Sequence, residues 1–92
     1  HAGDGNLHIY ICRDELGEEE WNTKCSGIFK KMYKKADELG GAVSGEHGIG
    51  YAKKTYFKEQ AGENMIRLMR GIKRVFDPDG ILNPGKVIDD AQ

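Results

Sequence analysis

The stretch Leu7-His8-Ile9-Tyr10-Ile11-Cys12-Arg13 alternates aliphatic residues with polar or mixed ones and is rich in β-branched and aromatic types. That two-residue period predicts a half-buried strand, with Leu7, Ile9 and Ile11 facing the core and His8, Tyr10 and Cys12 sharing the opposite face. From about Glu18 the period lengthens. Trp21, Cys25, Ile28, Phe29, Met32, Ala36 and Leu39 recur at steps of three and four, as on one side of an amphipathic helix. Glu18, Glu19 and Glu20 suit its positive amino end, Lys30, Lys31, Lys34 and Lys35 lie nearer the negative end, and Gly40-Gly41 supplies the stop.

Ala42-Val43-Ser44 reads as a short extended stretch leading into the irregular loop Gly45-Glu46-His47-Gly48-Ile49-Gly50. A second helix is expected from about Glu63 to Phe76, with Met65, Leu68, Met69, Ile72 and Phe76 as its buried stripe and Arg67, Arg70, Lys73 and Arg74 largely on its solvent side. Asp77-Pro78 ends it and Asp79-Gly80 makes a turn. Mixed strands and helices in this order predict an α+β fold, two main helices packed on one face of a small sheet.

At 92 residues the chain holds one small domain with a modest core. A net charge of −1 gives no electrostatic case for nucleic acid. Cys12 and Cys25 lie in no zinc-binding or CxxC spacing and read as reduced thiols of a cytoplasmic protein. No apolar run is long enough to cross a bilayer, while docking onto a membrane-bound partner stays open. The chain opens without Met, directly on a Gly-Asp-Gly-Asn loop, and is expected to be a segment of a longer polypeptide.

The chemistry concentrates in two places. A hairpin centred on Asp4-Gly5 would set His1 directly opposite His8, with Cβ atoms about 4.5–5.5 Å apart, a separation from which two imidazoles reach one metal ion. The competing reading is a polar hairpin with two solvated histidines. Glu46 would complete a His-His-carboxylate set where the flanking glycines bend the backbone, and His47, beside the metal but not bound to it, would be available as a base near neutral pH. The alternative for this loop is an exposed glycine-rich turn. A phosphate cradle is disfavoured, because neither the P-loop spacing nor GxGxxG is present.

Three separated motifs carry a resemblance over nearly the whole chain. His1-Ala2-Gly3-Asp4-Gly5-Asn6-Leu7-His8, then Ser44-Gly45-Glu46-His47-Gly48-Ile49-Gly50 with Lys53-Lys54, then Phe76-Asp77-Pro78-Asp79-Gly80-Ile81-Leu82-Asn83-Pro84-Gly85-Lys86 resemble the carboxy-terminal signature of FAD-linked oxidases. That family includes glycolate oxidase flavoprotein subunits, D-lactate dehydrogenases and D-2-hydroxyglutarate dehydrogenases. The resemblance implies the later portion of a ferredoxin-like cap domain over residues 1–92, with the FAD-binding domain upstream. It implies that His1, His8 and Glu46 bind a divalent metal, zinc or manganese, that His47 is the catalytic base, and that Asn83 and Lys86 lie near the flavin. Several relatives carry a substrate-holding asparagine two residues after the second metal histidine, where this chain has Tyr10.

The function so implied is oxidation of a 2-hydroxy acid such as glycolate or D-lactate to the 2-oxo acid, with an electron-acceptor subunit as a further partner. The isolated segment is expected to be inactive, and missing strands would favour its self-association. Two other classes compete. One is a flavin oxidase acting on a phenolic or ether-lipid substrate, disfavoured by the histidine pair; the other is a stand-alone metal-binding or interaction module without redox activity.

Overall fold

The computed structural model describes residues 1–89. They fall into two compact units, the first His1–Glu46 and the second beginning at His47. The element order is a short 3-10 turn at Ala2–Asp4, helix α1 at Glu18–Glu38 and helix α2 at Lys54–Phe76. No described helix is long and apolar enough to cross a membrane.

The expected sheet is not there: among the described residues no strand forms. Residues 7–13 have the alternation of a strand but among the described residues no second strand to pair with, and an extended segment without a ladder is not held as a strand. Leu7 and Ile9 accordingly remain 67% and 53% exposed rather than facing a core.

In the first unit α1 begins where the period changes. Three glutamates occupy its first turn, and Glu20 pairs with Lys24 one turn on at 2.8 Å. Its carboxyl end closes as a Schellman motif. Gly40 N–H donates to the Asp37 carbonyl at 2.9 Å and Gly41 N–H to the Ala36 carbonyl at 2.7 Å, while Gly40 takes the left-handed φ of 81° that the motif needs. Trp21, Cys25, Phe29, Met32 and Ala36 are half-buried as their spacing predicts. Ile28 and Leu39, expected beside them, are exposed. Phe29 also stacks on Tyr33, with ring centroids 6.0 Å apart, and Val43 is the buried apolar residue of this unit.

In the second unit α2 starts nine residues before the expected Glu63. Gly62 explains the difference: at φ 81° it sits outside helical geometry and kinks the element, so the pattern before and after it is out of phase. Of the expected core stripe Met69 is half-buried, whereas Met65, Leu68, Ile72 and Phe76 are exposed, as is Val75, and the buried residue is Ile66. Ile66, Arg70, Lys73 and Asp77 follow one side of the helix and Leu68, Ile72 and Val75 the other. The first side is the covered one because the segment after α2 is bonded there. Lys73 Nζ donates to the Leu82 carbonyl at 2.6 Å, and Arg70 Nε donates to the Asp89 carbonyl at 3.3 Å.

Candidate functional site

The Asp4-Gly5 sequence folds as a 3-10 turn and not as a hairpin. Asp4 and Asn6 N–H both donate to the His1 carbonyl, at 2.9 and 3.2 Å, and Gly5 N–H donates to that of Ala2 at 2.9 Å. Gly5 closes the turn in the left-handed region, so the following residues leave it without forming a ladder. The expected opposition of His1 and His8 is therefore absent, and His1 does not join the donor atoms around Glu46. Tyr10, 82% exposed, lies on no strand face.

His8 does meet Glu46: its Nε2 lies 2.6 Å from Glu46 Oε1, both side chains being partly exposed. Gly45 makes the approach feasible. A Cβ at this position would fall 2.5 Å from the Asn6 side-chain oxygen, so glycine lets the chain pass beside Asn6 with that side chain in its present position. An imidazole nitrogen and a carboxylate oxygen converging in this way match the donor chemistry that zinc and manganese accept.

In the second unit His47 is exposed and opens the loop through Gly48 and Gly50, at φ 79° and 56°. The loop is tied to the carboxy-terminal segment by Val87 N–H, which donates to the Gly50 carbonyl at 2.6 Å. The glycine loop and the Asn83-Pro84-Gly85-Lys86 stretch, far apart in sequence, are thus neighbours. Asn83 is exposed on a left-handed turn at φ 47°, and Lys86 Nζ donates to the Pro84 carbonyl at 3.1 Å.

Asp77 organises that stretch. Its buried carboxylate accepts Ile81 N–H at 3.1 Å and Leu82 N–H at 3.0 Å, and pairs with Lys73 Nζ at 2.6 Å. The hydrogen bond from Lys73 holds its carboxyl below the ordinary 3.8, with the two backbone N–H groups acting in the same direction against burial. Asp89 is lowered likewise, first by its bond to Lys54. Sequence reasoning saw Asp77 only as a helix stop; the signal it passed over was a lysine four residues earlier on the same helical face.

A family model described as "FAD linked oxidases, C-terminal domain" matches residues 1–87. The chain belongs to this family. As an FAD-linked oxidase carboxy-terminal domain it is 52% identical to the D-lactate dehydrogenase of Anaerostipes hadrus over 95% of the chain and 18% of that relative. It is 39% identical to the D-2-hydroxyglutarate dehydrogenase of Stutzerimonas stutzeri over 95% of the chain and 19% of the relative. With the glycolate oxidase subunit GlcD of Bacillus subtilis it shares 40% identity over 95% of the chain and 18% of the relative. This FAD-linked oxidase domain thus spans less than a fifth of the length of the curated relatives it matches.

Proposed function

We propose that this domain forms part of an FAD-dependent enzyme that oxidises a small 2-hydroxy acid to the 2-oxo acid, with FAD bound mainly by an upstream domain. The observation that carries the reading is the His8–Glu46 contact of 2.6 Å, which draws an imidazole and a carboxylate from two of the family's motifs together. D-lactate, D-2-hydroxyglutarate and glycolate are the substrates named for the relatives, and a 2-hydroxy acid is what they share.

His8 and Glu46 would hold a divalent metal, zinc or manganese, with His1 as a further ligand brought in by rearrangement of the amino-terminal turn. A metal held there would supply Lewis acidity toward a 2-hydroxy acid, and FAD in the upstream domain would supply the hydride-accepting chemistry. The hydroxyl proton goes to a ring nitrogen of His47, whose exposure leaves it accessible to substrate. Tyr10 would contact the substrate's distal part, and the Asn83 amide and Lys86 ammonium offer donors suited to the carbonyl oxygens of a flavin ring. An electron-acceptor subunit would reoxidise the flavin. We further infer a cytoplasmic location, which the free thiols of Cys12 and Cys25 support.

Two variants of the full-length enzyme test the assignment. Glu46→Gln removes the anionic ligand and should lower metal content and activity together. His47→Asn should keep metal and flavin while slowing anaerobic flavin reduction roughly 10²–10⁴-fold. Metal retained in the first, or rapid reduction in the second, contradicts the role given to that residue.

A further inference from the structure

The loop that starts at His47 passes through Gly48 and Gly50, both at positive φ, a backbone path that glycine adopts without a Cβ penalty. Its far end is held by the Val87 N–H bond to Gly50. Val87 makes that bond from φ 67°, a conformation rare for a β-branched residue and kept only where the surroundings over-determine it.

Those surroundings are present. Two residues on, the Asp89 carboxylate pairs with Lys54 Nζ at 2.7 Å, and the Asp89 carbonyl accepts Arg70 Nε at 3.3 Å. Both cations belong to α2. Lys54 Nζ also lies 4.5 Å above the Tyr51 ring, next in the chain after Gly50. The ion pair thus joins the carboxy-terminal segment to the same helix start that receives the glycine loop.

We propose that residues 86–89 form a strap that sets the position of the His47 loop, with Val87 and Asp89 as positioning residues for the proton-accepting imidazole. The strap makes the active conformation of a glycine-rich loop depend on a main-chain bond and an ion pair outside the motif that bears His47. This inference rests on the reading of His47 as the base.

The test uses flavin-reduction rates of the full-length enzyme in a double-mutant cycle. Val87→Pro removes the N–H and forces φ near −65°, and should slow reduction roughly 10–100-fold through misplacement of the base. Val87→Gly, which restores the N–H and suits a positive φ, should recover the rate. In a His47→Asn background Val87→Pro should cause no further loss, because the group it positions is gone. Equal losses in both backgrounds, or no loss at all, overturn the strap and leave His47 as the base. A His47→Asn enzyme that reduces its flavin at the unmodified rate overturns both readings. If Val87→Pro does not fold, Lys54→Met with Lys54→Arg as its rescue enters the same cycle and is read in the same way.

Discussion

His8 Nε2 and Glu46 Oε1 lie 2.6 Å apart although the two residues are 38 positions apart in the chain. Gly45 stands just before Glu46, and a Cβ on it would lie 2.5 Å from Asn6 Oδ1, the end of a side chain that can rotate away. Gly45→Ala in the full-length protein should push the Asn6 amide aside and weaken metal retention by no more than about 10-fold, the low end of the usual cost of disturbing the support around a metal ligand. Metal analysis after dialysis, with circular dichroism to establish folding, measures this. Full retention of metal would show that the approach at Gly45 is not needed.

The Asp77 carboxylate ties Lys73 to the backbone of Ile81 and Leu82. Asp77→Asn should therefore destabilise the second unit more than Asp79→Asn, whose site is an exposed turn. The pH dependence has a definite sign. Because the folded carboxyl is held below 3.8, its contribution is present above that value and is lost as pH falls through the lower, folded value. Asp89, also lowered, acts in the same direction. Denaturant midpoints at about pH 7 and about pH 3 should fall with acid in the unmodified chain and fall less in Asp77→Asn.

Gly40 ends α1 at φ 81° and completes the Schellman motif with Gly41. Gly40→Ala should cost about 1–2 kcal/mol, the penalty of a left-handed conformation for a residue with a Cβ. Thermal unfolding followed by circular dichroism detects a loss of this size. An unchanged midpoint would mean the helix end is not held in this conformation in solution.

Purified alone, the 92-residue chain should show no flavin absorbance and no 2-hydroxy-acid oxidation, and stoichiometric FAD binding would contradict an upstream flavin site. Leu68, Ile72 and Val75, 59%, 52% and 77% exposed on one side of α2, should make it associate as concentration rises. Sedimentation velocity on the chain and on Leu68→Glu/Ile72→Glu decides this: the double variant should shift toward the monomer.

Local patterning determined much of this protein. The glutamate-led start and glycine-closed end of α1, the stop at Asp77 and the irregular Gly45-to-Gly50 loop are short-range consequences of side-chain spacing and glycine freedom, and each was legible in the sequence. Three ordered motifs were enough to identify the family. The sheet was not determined, because alternation at residues 7–13 specifies which side chains share a face and cannot supply the partner backbone that a strand requires. Nor was the face of α2 that is covered: apolar spacing favoured Leu68 and Ile72, whereas Lys73, Arg70 and the Asp77 carboxylate drew the returning chain to the other side. Tertiary structure alone decided that His8 reaches Glu46, that His1 does not, and that Val87 holds Gly50, since contacts between residues distant in sequence depend on the path of the chain between them.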